Sequence, residues 1–368
     1  QNISLDTYKQ INQALVRQGR SGMAELIFPL PGETYESFMR GIRTAIEADA
    51  SKIMSYTLQL LYGTDYKNPE YRRQHGYRGK WRLIPLDFGE YEDERIFDVE
   101  EVAVSSKYAS FEDYLLIRGF ALLTECLYNN YIFWELLRYL QDEGISPYAW
   151  LRAVWDRRER FPEGVQRVFE SFIEETKREL FDSEAGLIRF YSDPEHYAQL
   201  IRGEVGGNVL YKHKAKLLTR HRAAWIHHIA QVATDLILSR PEASPDAARV
   251  TKELEEIRRY LTHKFAGMLD PAADAGPIMD QFQHDVLTWS HDQTGQRLAD
   301  SFRQEGYRYR FYFDEQQQVE RRDSFRRYGT DPHGLAKIMA RIPSHERLFR
   351  QVSLVDETAN QLVGVALG

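Results

Sequence analysis

The chain has 368 residues, long enough for two or three domains with a sizeable apolar core. Its 48 Lys and Arg against 55 Asp and Glu argue against a surface built chiefly for the phosphate backbone of nucleic acid. No apolar run is long enough to span a membrane, no secretory signal opens the chain, and the single cysteine, Cys126, excludes a disulfide framework; together these point to a cytoplasmic protein.

In chain order, Ser4 is a candidate N-cap, and Leu5, Tyr8, Ile11 and Leu15 recur at helical spacing until Gly19 offers a stop. The apolar run from Met23 to Leu30, flanked by Gly22 and Pro31, reads as a buried strand. Thr34 then caps a second helix with Glu36 in its first turn and Phe38, Ile42 and Ile46 on one face. "SKIMSYTLQLLYGT" is another strand-like run, ending at Gly63 and Thr64, so the first segment predicts parallel βα units.

The pattern loosens from Tyr66 to about Ser106. "YRRQHGYRGKWR" (71–82) carries five Lys or Arg residues among aromatics, and "EYEDERIFDVEE" (90–101) carries seven acids close behind it. Adjacent blocks of opposite sign neutralise one another or form a solvated face, which is favoured over RNA binding. "RIFDVEEVAV" reads as a further strand. From Ser110 the chain is helical for most of the next two hundred residues, with "LSRPEASPDAARV" (238–250) as a solvated connection. "GYRYRFYFDEQQQ" (306–318) alternates as a strand, followed by a short basic turn and the helix "HGLAKIMARI". The expected segments are therefore 1–106 (α/β), 107–304 (helical) and 305–368 (strand, turn, helix and tail).

Alternation along the first strand puts Met23, Glu25, Ile27 and Pro29 on one side and Ala24, Leu26, Phe28 and Leu30 on the other. The second set suits packing on helices. The first holds a carboxylate, which burial would oblige to pair internally or to face a bound polar group. On the next strand Ser55, Thr57 and Gln59 share one face, so the two strands predict a shared cavity at their carboxyl ends, with Ser55, Thr57 and Gln59 as candidates to line it for a substrate. His221 with His228, and His284 with His291, lie seven apart without the tight spacing and interleaved acids of a helical metal site, and read as ordinary core or surface histidines. Cys126 reads as a small packed hydrophobe.

"ELIFPLPGETYESF" followed by "MSYTLQLLYGTDY" resembles the carboxyl half of the radical S-adenosylmethionine (SAM) barrel, in the branch that carries an amino-terminal cobalamin-binding domain. The resemblance is specific over residues 1–64 and weaker to about 125, through "RLIPLDFGEYEDERIF" and "SFEDYLLIRGFALL". It implies a partial TIM-type parallel βα barrel, here its fifth and sixth strands, followed by a largely helical carboxyl-terminal domain with a late β-strand. It further implies that Glu25, Ile27 and Pro29 lie against SAM, with Ile27 on the adenine, and that Leu58 to Leu60 complete the wall. Pro29 departs from the glycine usual at that place. The [4Fe–4S] cluster of the family needs three cysteines in a Cys-x3-Cys-x2-Cys loop, which this chain does not contain. The simpler explanation is that the sequence is a piece of a longer protein that supplies the cobalamin domain, the cluster and the earlier strands; the other is a cluster-free relative. The intact enzyme would generate a 5′-deoxyadenosyl radical for methyl transfer or rearrangement of a small organic substrate, and this chain alone would be inactive. The alternative is a non-catalytic helical scaffold whose polar strand faces are filled by internal salt bridges.

Overall fold

The computed structural model describes residues 4–17, 22–240, 246–273, 276–292, 294–341 and 345–355. The protein is mixed α/β with a helical majority and small sheets. It divides into two compact units, residues 1–130 with 163–216 and residues 131–162 with 217–368. The boundaries expected near 107 and 305 do not coincide with this division, because helices on both sides of the 131–162 segment pack with the amino-terminal strands.

The first unit begins with α1 (Leu5–Arg17), β1 (Met23–Phe28), α2 (Tyr35–Glu47) and β2 (Lys52–Thr57). β1 and β2 pair in parallel from Met23↔Lys52 to Phe28↔Thr57. Thr34 Oγ1 accepts the Ser37 N–H at 3.1 Å while the Ser37 hydroxyl accepts the Thr34 N–H at 2.9 Å, a reciprocal cap that starts α2 after the turn at Gly32. Phe38, Ile42 and Ile46 are buried, and the Phe38 ring meets Phe28 edge-on at 5.4 Å. Replacing Thr34 with Ala is expected to lower stability by about 1 kcal/mol in a urea titration, with Ser37→Ala giving a loss that is not additive with it.

Next come α3 (Pro69–His75) and a long antiparallel hairpin, β3 (Arg78–Tyr91) with β4 (Glu94–Ser105). The loosened stretch is therefore largely a paired ribbon, with the register shifting between Leu83 and Phe88. Its charges pair as their opposite signs suggest: Glu101 takes Lys67 at 2.5 Å and Arg72 at 2.9 Å, and Glu100 takes Arg82, its partner across the ladder, at 2.7 Å. Glu92 and Asp93 make the two-residue turn, both at positive φ (49° and 66°). Beyond β2 the chain joins this hairpin, with the Ala103 N–H donating to Leu58 C=O and the Leu60 N–H to Glu101 C=O, each at 2.8 Å.

α4 (Phe111–Leu127) follows, capped by Ser110. The chain then enters the second unit through α5 (Trp134–Asp142) and α6 (Pro147–Asp156), and returns with α7 (Glu163–Arg178), α8 (Glu184–Ser192), α9 (Pro194–Ile201) and α10 (Val209–Arg220). α8 and α9 cover the hairpin through Leu187, Tyr191, Tyr197 and Leu200 packed on Leu83 and Phe97.

α11 (Arg222–Leu238), α12 (Ala247–Lys264), β5 (Ile278–Phe282), α13 (Val286–His291), β6 (Tyr307–Tyr312), α14 (Glu315–Tyr328), α15 (Pro332–Arg341) and β7 (Gln351–Leu354) complete the second unit. Its sheet is antiparallel in the order β5-β6-β7, so the late strand has two partners rather than standing alone. The basic stretch after β6 is the helix α14, not a short turn: Asp314 caps it by accepting the Gln317 N–H at 2.7 Å, and its face is polar almost throughout, which hid its period. Trp150, Trp225 and Trp289 are fully buried in this unit. Residues 241–245 of the expected connection lie outside the described residues. No helix among the described residues is long and apolar enough to cross a membrane.

Candidate functional site

The parallel pair shows where the expected site residues stand. Residues in register across a sheet share a face, and the register sets Glu25 beside Met54, Ile27 beside Tyr56 and Leu26 beside Ser55. Glu25 and Ser55 therefore do not share a face, contrary to the expected common cavity; counting alternation along each strand separately could not reveal their relative phase. Glu25 is exposed, and Ile27 and Tyr56 retain 40% and 45% of their surface. Partial burial, then the Glu25 carboxylate beside it, pushes the Tyr56 phenol up. The expected burial of Glu25 is corrected by the pairing of β1: among the described residues it pairs with β2 alone, and this face stays open.

Leu58 and Leu60 are buried in a cluster with Tyr77 and Ala103. Pro29 is also buried, and its carbonyl accepts the Tyr77 hydroxyl at 3.1 Å. Of the five residues expected against SAM, only Glu25 and Ile27 present exposed surface.

Ser55, Thr57 and Gln59 do come together. They line a cavity of about 330 Å³ within the first unit, walled by the free side of β2, the hairpin, α4, Glu179 at the end of α7, and the start of α10. The edge of β2 is held there by Asn129, whose Oδ1 accepts the Ile53 N–H at 2.9 Å and whose Nδ2 donates to the Ile53 C=O at 3.0 Å, so one side chain takes the place of a neighbouring strand.

The cavity is strongly charged. Arg82 binds Glu100 at 2.7 Å and approaches Glu179 at 3.5 Å, and the Gln59 amide donates to Glu100. Burial opposes the Arg82 charge, but Glu179 and Glu100 outweigh it and raise its pKa. Glu125 accepts from Lys214 at 2.7 Å and from Asn129 at 2.5 Å; burial would raise its pKa, and these partners hold it below the usual carboxylate range instead. Glu179 behaves in the opposite way, pushed up by burial against the pull of Arg82 and Arg118. The two carboxylates of one cavity are thus shifted in opposite directions, Glu125 down by its cation and Glu179 up by burial.

Several polar groups remain unmatched among the described residues. Arg118 Nε and Glu179 Oε1 are buried without a hydrogen-bond partner, Glu179 Oε1 having only its 3.5 Å ion-pair contact with Arg82, and the Ser55 and Thr57 hydroxyls make no bond. Buried polar atoms are almost always satisfied, so unmatched groups gathered at a cavity mark a place where something polar binds. Sequence reasoning missed Arg82, Glu100, Arg118, Glu125 and Glu179. One signal was available: Arg118 and Glu125 lie seven apart on the otherwise apolar "LLIRGFALLTECL", hence on one face of a helix whose neighbours are core.

The histidine pairs lie elsewhere. In the second unit His284 Nδ1 bonds Glu256 at 2.8 Å, and the His228 ring stacks on Trp225. Among the described residues no three His, Cys, Asp or Glu side chains gather as a metal site. Cys126 is buried, and burial pushes its thiol up. Comparison with models of known protein families gives no match, and no curated protein matches the chain.

Proposed function

We propose that the chain is the carboxyl-terminal part of a cobalamin-linked radical SAM enzyme, with β1 and β2 as its fifth and sixth barrel strands, acting on a small organic substrate by methyl transfer or rearrangement. The observation that carries this reading is the β1–α2–β2 unit, with its parallel pairing, its Leu-Pro-Gly-Glu-Thr loop turning at Gly32 (φ +80°), and the open β1 face bearing Glu25 and Ile27. In an α/β barrel such a face belongs to the lumen and such an edge pairs with the preceding strand.

SAM, when bound, supplies the 5′-deoxyadenosyl radical in this family. The open face would suit its adenosyl half, since Ile27 and Tyr56 would offer apolar surface to a purine ring and the Glu25 carboxylate could accept from a ribose hydroxyl. Leu58, Leu60 and Pro29 act from behind, as the packed layer that fixes those strands. The residues do not fit a [4Fe–4S] cluster, because the one cysteine is buried and its thiol is held away from the thiolate form. In this proposal the cluster and cobalamin belong to residues other than these 368.

The scaffold alternative has one observation in its favour, the mutual satisfaction of Gln59, Glu100 and Arg82. It leaves Arg118, Ser55 and Thr57 without a purpose.

The gene offers the first test: a Cys-x3-Cys-x2-Cys loop encoded upstream of Gln1 is expected, and an open reading frame beginning here would end the proposal. In the protein expressed from that longer frame, Ile27→Asp is expected to weaken SAM binding at least about tenfold by calorimetry, with the fold retained because the position is already exposed.

A further inference from the structure

The cavity beside β2 also takes in Met54 and Tyr56 from the face assigned to SAM, and its chemistry can be read from which of its groups are already matched. Three cations and three carboxylates meet around it, Arg82, Arg118 and Lys214 against Glu100, Glu125 and Glu179. Glu100 is matched by Arg82 and Gln59, and Glu125 by Lys214 and Asn129. What remains is one donor of positive charge, the Arg118 guanidinium, and one acceptor without a hydrogen bond, Glu179 Oε1, which has only the 3.5 Å ion-pair contact with Arg82.

Arg118 makes no hydrogen bond to the described residues, and its guanidinium lies over the Phe172 ring, 5.5 Å from the centroid. A guanidinium supported in this way is arranged to take a carboxylate with its forked N–H groups. Asn208, Val209 and Leu210 also line the cavity, so the start of the twelve-residue α10, whose Tyr211 N–H is capped by Asn208 at 3.1 Å, borders the same space. Glu179 Oε1 asks for the reverse, a hydroxyl that donates. The free Ser55 and Thr57 hydroxyls can take either role, and the Tyr211 ring gives the lining a flat surface.

We infer that this cavity binds a small hydroxylated carboxylate, its carboxylate held by Arg118 and its hydroxyls by Glu179, Ser55 and Thr57. A cavity of about 330 Å³ suits a ligand of about the size of a six-carbon sugar acid. The mixture of an anion anchor with several neutral donors and acceptors favours a ligand rich in hydroxyls over a bare inorganic anion. Nothing in this inference rests on the SAM reading, since the residues and the binding are tested without SAM.

The test is calorimetric and saturation-transfer NMR titration of the full 368-residue chain with D-glucuronate, and with D-glucose as its uncharged counterpart. Saturable binding of glucuronate is expected, with glucose at least about tenfold weaker, Arg118→Gln weakening glucuronate by at least about tenfold, and Arg118→Lys recovering part of the loss. Glucose binding as well as glucuronate, glucuronate binding Arg118→Gln as well as the unsubstituted chain, or no saturable signal to roughly ten millimolar would each overturn the inference. Circular dichroism of each variant guards against unfolding. If Arg118→Gln does not fold, the comparison of the two sugars on the unsubstituted chain, with Ser55→Ala reducing glucuronate affinity by a few-fold, decides in its place. All of these outcomes stand apart from the upstream cysteine test.

Discussion

Lys214→Met is expected to destabilise the first unit by about 3–5 kcal/mol, since it leaves the Glu125 carboxylate buried without its cation. The Lys214 side chain is 0% exposed and that of Glu125 is 4% exposed, so water cannot take the place of the lost partner. Replacing both residues by Met is expected to restore much of the loss, because a pair of apolar side chains carries no desolvation penalty. Denaturation of the three variants at fixed pH checks this, and a double variant less stable than Lys214→Met would refute it. The pH dependence has a defined sign. Glu125 is depressed in the folded chain, so its contribution is fully present above the ordinary carboxylate pKa and is lost as pH falls through the folded value. Without Lys214 the burial is opposed by Asn129 and Lys52 alone and that pKa rises, so the stability gap between the unsubstituted chain and Lys214→Met should narrow on acidification.

Asn129→Ala is expected to cost about 2–6 kcal/mol, roughly 1–3 for each of the two main-chain groups of Ile53 that lose their partner. Asn129→Asp should be worse than Ala. It cannot donate to the Ile53 carbonyl, and it brings a second carboxylate to within hydrogen-bonding distance of Glu125. Urea titration gives the order, and hydrogen exchange at the Ile53 amide should lose protection in both variants. An Asp variant milder than Ala would show that Asn129 does not act as the edge partner of β2.

The local features of the first unit were legible in the sequence because their signals are local. The Thr34 cap, the face of α2 carrying Phe38, Ile42 and Ile46, and the helix-strand-helix-strand order all follow from spacings of a few residues. The hairpin was half legible: β4 read as a strand, while β3 was masked by basic residues whose partners are distant acids, Asp182 for Lys80 and Glu100 for Arg82. The candidate cavity was legible only where β2 lines it, at Ser55, Thr57 and Gln59. Its charged residues come from β3, β4, α4 and α7, and no pattern within any one of them announces that they meet. Arg82 finds Glu179 across nearly a hundred residues, a pairing set by tertiary packing alone.

The hairpin charges also bear on how its ladder finds alignment while the chain folds. Glu100 and Glu101 are consecutive, so they face opposite ways, and each side of the hairpin offers cations to receive an acid. A slip of one residue would exchange the two carboxylates and still leave each beside a positive charge, so electrostatic attraction barely discriminates the misaligned ladder from the native one. Discrimination falls to Phe97 and Leu83, which a slip would turn away from α8 and α9, and to the tight turn. That turn is made by Glu92 and Asp93 in left-handed conformations that cost each of them of order 1 kcal/mol, where Asn-Gly would hold the same shape freely. The β3–β4 ribbon thus has a weak local pin and an ambiguous charge code, and the packing of α8 and α9 on it is what distinguishes its alignment.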